Sequence, residues 1–274
     1  MFTLSGFADE IDAQLDVQLQ VLGGLGIHYL ELRGVWGKNV LELDDDELAA
    51  VKQGLETAGV GVSAIGSPIG KIDIDAPMEP HLQAFERALL VAEELQCPYI
   101  RLFSFFVPEG EADRRRGDVL RRMERLLKAA SGHAVTLLHE NERHIYGDIP
   151  RRCHDLMAHF DSPQLRFTFD PANFVMCGVR PFDEGYALLA DYIDYLHIKD
   201  GLLAEQRVVP AGQGDGQLRE LIAALAARGY DGFASLEPHL ASAGTFNGFS
   251  GPELFEVAAR AFRDVLQQVG ALEG

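Results

Sequence analysis

Along this chain, short, mostly apolar runs alternate with longer stretches whose apolar positions recur every three or four residues, the periods of strand and amphipathic helix. The short runs predict strands over 3–9 (TLSGFAD), 28–34 (HYLELRG), 60–66 (VGVSAIG), 98–105 (PYIRLFSF), 134–140 (AVTLLHE), 165–170 (LRFTFD), 194–200 (DYLHIKD) and 232–238 (GFASLEP). The stretches between them predict helices over 12–25, 44–58, 78–95, 113–131, 150–160, 182–191, 216–228 and 252–269. Several helix ends carry their own chemistry. Asp44 followed by Glu47 reads as a capping box, and Pro252 suits a first helical turn. Gly59, Gly132 and Gly229 stand just before strands, where helix C-caps belong.

Eight strand–helix units consume the 274 residues. Parallel strands joined by right-handed helical crossovers either close into a barrel or form an open doubly wound sheet. The count of eight favours closure. No G-x-G-x-x-G follows the first run, and neither terminal strand carries the features that blunt a free edge. The expectation is an α/β fold, a single (β/α)8 TIM barrel spanning residues 1–274.

Composition agrees with a chain folded throughout: 47% of residues are hydrophobic and 24% charged, with no Pro, Ser or Gln tract. The net charge of −18 repels phosphate backbones and anionic membrane surfaces, so neither nucleic acid nor membrane is an expected partner. Arg114, Arg115, Arg116, Arg121 and Arg122 are interleaved with Asp113, Asp118 and Glu124 at helical spacing, which predicts a solvated helix face. Cys97, Cys153 and Cys177 lack C-x-x-C spacing and read as free thiols of a reducing compartment. With no basic, apolar leader at the N-terminus and no apolar run long enough to span a membrane, the expected location is cytoplasmic.

Chemistry in such a barrel sits at the C-terminal ends of the strands. The second half of the chain places Glu140, Asp170, His197 and Glu237 at or beside the ends of strands five to eight, with Lys199, Asp200 and His239 close by. Alternation puts Leu138 with Glu140, Thr168 with Asp170, Tyr195 with His197 and Lys199, and Ser235 with Glu237 on shared faces. Three carboxylates at one mouth repel each other unless a positive charge neutralises them, and a divalent metal held by oxygens and one imidazole does so. The expected site is therefore one divalent cation on Glu140, Asp170, His197 and Glu237, with Mn²⁺, Mg²⁺ or Co²⁺ suited to the oxygen-rich set and Zn²⁺ as an alternative.

The stretches HENE, FDPANF, HIKDG, AGQGDG and SLEPH, with GFADEI and LELRG towards the N-terminus, resemble in order the xylose isomerase-like TIM-barrel superfamily. The resemblance is to its sugar phosphate isomerase/epimerase group, which includes ketose 3-epimerases, hydroxypyruvate isomerases, inosose dehydratases and endonuclease IV. It runs end to end and implies the same four metal ligands, with Glu140 and Glu237 doubling as acid/base catalysts on opposite faces of a bound sugar. The implied reaction is isomerisation or epimerisation of a small sugar, keto-sugar or sugar phosphate through a metal-stabilised cis-enediolate. One departure is Asn173, where ketose 3-epimerases usually carry a histidine that contacts substrate.

Asn173, Lys199, His239, Trp36 and His144 are the candidate substrate contacts, Trp36 as an aromatic wall beyond strand two. His139 points away from Glu140 by strand parity and suits a core role, whereas Glu31 and Arg101 are expected to pair inside the barrel. The run GQGDG lacks the Lys-Ser/Thr ending of a phosphate loop and reads as a connection into the next helix. The expected partner is a small sugar or polyol ketone, and a homo-oligomer is compatible with the sequence. The alternatives are a metal-dependent dehydratase of a keto-cyclitol and a non-catalytic sugar-binding barrel; endonuclease chemistry fits poorly with the acidic charge.

Overall fold

The computed structural model describes residues 1–243 and 248–274. Its central parallel sheet is formed by β1 (Phe2–Gly6), β2 (Tyr29–Leu32), β3 (Gly61–Ile65), β4 (Tyr99–Leu102), β5 (Thr136–Glu140), β6 (Leu165–Phe169), β7 (Ile193–Ile198) and β8 (Gly232–Leu236). Around the sheet the order is β1-β8-β7-β6-β5-β4-β3-β2. A parallel bridge between Phe7 and Glu31 brings β1 to β2 and closes the barrel. All eight expected strands are present, and the fold is a single (β/α)8 barrel. Several strands stop short of the expected ends, and the residues that follow them, among them Phe7, Phe103, Asp170 and Glu237, are buried at the mouth.

The outer layer holds α1 (Leu15–Gly24), α2 (Asp45–Ala58), α3 (Met78–Glu94), α4 (Ala112–Ala130), α5 (Pro150–Phe160), α6 (Pro171–Met176), α7 (Leu218–Ala227) and α8 (Pro252–Val269). α2 starts with both bonds of its capping box, Glu47 N to Asp44 Oδ1 at 2.8 Å and Asp44 N to Glu47 Oε2 at 2.9 Å. It stops at Gly59, whose φ of 66° is open to glycine at little cost. α8 buries Phe255, Ala259, Phe262 and Leu266, one stripe at helical spacing. On α4, Arg114, Arg115, Arg116 and Arg121 pair with surface carboxylates as a solvated face, whereas Arg122 turns inward to bond the Ala76 carbonyl and stack on Phe105.

The segment after β6 departs from expectation. Instead of one helix over 182–191, the chain forms α6 at once, then a π-helical turn at Pro181–Tyr186 that runs into Ala187–Leu189. The cause is local: Asp170 caps α6 by accepting the Asn173 N–H at 2.8 Å, and Pro171 fits the first turn. Inside the barrel the lower layer is apolar, with Ala64, Leu138 and Tyr195 packed against Tyr99 and Phe233. Above it, the Ser63 hydroxyl bonds the Tyr195 hydroxyl at 2.8 Å and Ser5 at 2.6 Å. The charged side chains Glu140, Asp170, His197 and Glu237 gather at the mouth. Among the described residues no helix is long and apolar enough to cross a membrane.

Candidate metal centre

Glu140 is the last residue of β5, Asp170 caps α6, His197 lies within β7 and Glu237 follows β8. All four are buried, at 2%, 0%, 0% and 4% exposure, and one ligand atom from each falls within 4.8 Å of the others. His197 Nδ1 faces Glu140 at 3.2 Å, Glu237 at 3.7 Å and Asp170 at 3.9 Å, yet no hydrogen bond meets it. The other ring nitrogen, Nε2, lies 3.2 Å from Glu31 Oε2, so a buried carboxylate fixes the ring with Nδ1 aimed at the three acids. A solvent-excluded nitrogen without a partner, facing three carboxylates, fits a divalent cation of oxygen preference, and Glu31 takes the supporting place behind the imidazole.

In this arrangement three basic side chains offset the acids. Lys199 Nζ lies 2.7 Å from Asp170 and 2.6 Å from Glu237, Arg101 is 3.2 Å from Glu140, and Arg33 is 3.1 Å from Glu237. Burial raises every one of these carboxyl pKa values, and the neighbours decide the outcome. For Glu140 the His197 and Arg101 charges outweigh burial and hold the carboxyl at about 2. Lys199 and His239 outweigh it for Glu237, which is held well below the usual range. For Asp170 burial prevails over Lys199, and its pKa rises to about 7. Burial opposes a charged imidazole at His197, but Glu140 and Glu31 overcome it and raise the ring to about 10.

Of the expected substrate contacts, Asn173, Lys199, His239 and His144 line one cavity of about 550 Å³ together with Glu140 and Glu237. Asn173 also donates to Glu140 Oε1 at 3.0 Å, so it orients this carboxylate. His239 sits 3.4 Å from Glu237 and 3.2 Å from Glu10. Trp36 packs its partly buried ring against the core instead, while its neighbours Val35 and Gly37 line a second cavity. His139 is fully buried, bonded to Ser104 and stacked on Phe167, the core role that strand parity implies.

The expected Glu31–Arg101 pair is a correction: Glu31 pairs with His197, and Arg101 with Glu140. β4 and β5 are in register with Arg101 opposite Leu138, which leaves Glu140 one step up the same face and within reach. Glu31 sits at the β1–β2 seam, two strands from β4. Arg33, Glu10 and Lys71 were not singled out from the sequence. Arg33 shares the parity of Glu31, which was the available signal; the buried Glu10, in a short turn after β1, offered none. The GQGDG run is a connection, as expected, held by one residue: Asp200 accepts the N–H groups of Gly201, Gly212, Gly214 and Gly216. A Cβ on Gly214 would lie 2.3 Å from Asp200 Oδ1, so the wrap requires glycine there.

The family model described as xylose isomerase-like TIM barrel matches residues 19–265. This chain belongs to that family. Among solved structures it is similar to the probable 3-DHS dehydratase AsbF involved in petrobactin synthesis from Bacillus anthracis, at 18% identity, TM-score 0.74, covering 96% of this chain and 99% of that one. It is also similar to the IOLI protein solved with a zinc atom, at 16% identity, TM-score 0.76 and coverage of 98% and 99%. A third is the 3-keto-D-glucoside 4-epimerase YcjR from E. coli, at 14% identity, TM-score 0.71 and coverage of 98% and 99%. At such identities the likeness establishes the fold alone. No curated protein sequence matches this chain.

Proposed function

We propose that this protein is a divalent-metal-dependent isomerase or epimerase of a small keto-sugar or polyol ketone, free or phosphorylated. The observation that carries the proposal is the convergence of Glu140, Asp170, His197 and Glu237 within 4.8 Å, with His197 Nδ1 turned towards the acids. A divalent cation held by these four would act as a Lewis acid on a substrate carbonyl and its neighbouring hydroxyl.

The proton transfers fall to the two glutamates. Glu140 enters from β5 and Glu237 from beyond β8, with β6 and β7 between them around the barrel, so they approach a bound substrate from different directions. Arg101 and Asn173 hold Glu140, while Arg33 and Lys199 hold Glu237. Both are thus oriented, and both are ionised at neutral pH, so each can accept a proton. One removes the proton beside the carbonyl, and a solvent proton relayed through the other reaches the opposite face.

The test is the purified, Mn²⁺-loaded protein incubated in deuterated water with a panel of ketoses, ketose phosphates and inososes. The expected result is deuterium wash-in at the carbon beside the carbonyl, with inversion or carbonyl migration. Glu140→Gln and Glu237→Gln should each stop net turnover while allowing exchange into the one epimer whose proton the surviving base faces. Hydrogen migration between carbons without solvent exchange would replace the two-base scheme with a hydride shift. An unsaturated ketone absorbing in the ultraviolet would instead identify the dehydratase.

A further inference from the structure

The mouth holds a second cavity that the proton chemistry does not use. It measures about 390 Å³ and lies on the β2–β4 side, sharing Lys71 with the cavity that contains Glu140 and Glu237. Its charged lining consists of Arg33, Lys38, Lys71 and Arg101 with the carboxylate of Asp9, and Lys38 and Lys71 also pair with Glu47 and Glu142 beside it. Ala13, Val35, Pro68 and Phe249 form its apolar part.

Three of these cations are held in place rather than left to solvent. Arg33, Arg101 and Lys71 have side chains only 4–7% exposed. Arg33 and Arg101 stack on the Phe7 ring at 4.5 and 4.9 Å, and Lys71 and Arg101 stack on Phe103 at 4.3 and 5.0 Å. Two of them keep an unfilled donor, Arg33 Nη2 and Arg101 Nε being buried without an acceptor, while Lys71 Nζ donates to Glu142 at 3.1 Å. Arg33 and Arg101 form the wall between the cavities, since each reaches back to one of the two glutamates.

We propose that this cavity binds a carboxylate substituent of the substrate, so that the molecule processed is a keto acid rather than a neutral ketose. This deepens the function proposed above and depends on it for the word substrate, but not for the binding site. The acid group would lie against Lys71, Arg33 and Arg101, its carbon skeleton against the apolar lining, and its carbonyl end would extend towards Glu140 and Glu237. Phosphate would be recognised by the same cations, and the test separates the two.

The experiment is titration of the metal-free protein with malonate, malonamide and inorganic phosphate, read by calorimetry and by the fluorescence of Trp36, the sole tryptophan, which lies between two lining residues. Working without metal prevents chelation from imitating the result, and no turnover is required, so failure of the enzymatic proposal leaves the readout intact. Expected is saturable malonate binding that weakens with salt, at least tenfold tighter than phosphate and absent for malonamide. Lys71→Gln should weaken it about tenfold and Lys71→Arg restore it, both variants keeping the parent's circular dichroism spectrum at the titration temperature, whereas the exposed Lys52→Gln should have no effect. Equal binding of malonamide, tighter binding of phosphate, no malonate binding, or indifference to Lys71→Gln would each overturn the proposal.

Discussion

Glu31 lies 1% exposed behind the His197 imidazole, its two oxygens 3.4 and 3.2 Å from His197 Nε2. Replacing it tests whether this carboxylate sets the ring's direction or merely fills space. Glu31→Gln keeps the shape and one oxygen that can accept from Nε2–H, but removes the charge. Outer partners of metal-bound histidines typically contribute about 10–100-fold in metal affinity, or about 1.4–2.8 kcal/mol. The amide should sit at the low end of that range. Glu31→Leu removes the acceptor and should reach the high end. Without metal, the same leucine leaves a buried imidazolium beside Glu140 without its second counter-charge, a loss of about 3–5 kcal/mol by analogy with broken buried pairs. Mn²⁺ affinity by calorimetry, with urea unfolding of the metal-free forms, measures both quantities. If Glu31→Leu bound Mn²⁺ as tightly as the parent while losing stability, the orienting role would be refuted and the carboxylate would be structural only.

Metal binding should release protons: at pH 7 about one from His197, whose ring titrates at about 10, and part of another from Asp170 at about 7. Calorimetry in buffers of different ionisation enthalpy counts them, and a value near zero would contradict the charge state. Asp200→Ala should strip the acceptor from four backbone N–H groups and destabilise by several kcal/mol, roughly 1 kcal/mol or more per group, with faster hydrogen exchange across residues 212–216 in mass spectrometry. His81 accepts the Gly70 N–H on Nε2 at 2.8 Å, and burial lowers its pKa to about 4. Its contribution is complete above pH 6.5 and lost as pH falls from there through 4, at most about 3 kcal/mol. His81→Gln, unable to take up that proton, should therefore flatten the acid limb of stability measured by urea unfolding between pH 6.5 and 4.

The sequence by itself determined the barrel, because alternation of period two with period 3.6 repeats eight times and leaves few other ways to bury so many parallel strands. The four side chains of the candidate metal centre were also legible, since alternation along the strands puts Glu140, Asp170, His197 and Glu237 on faces that converge at one mouth. Local chemistry was equally legible at Asp44, Gly59 and Pro252, where cap and first helical residue need only their near neighbours. Tertiary structure alone decided which charges meet. Parity says that Glu31, Arg33 and Arg101 face inward, but not how high each lies or which strand stands opposite. Those depend on the stagger of the closed sheet, which gives Glu31 to His197 and Arg101 to Glu140. Loop residues were less legible still. Glu10 and Lys71 reach the mouth only because the turns after β1 and β3 fold back over it, and long-range contacts of that kind leave no period in the chain.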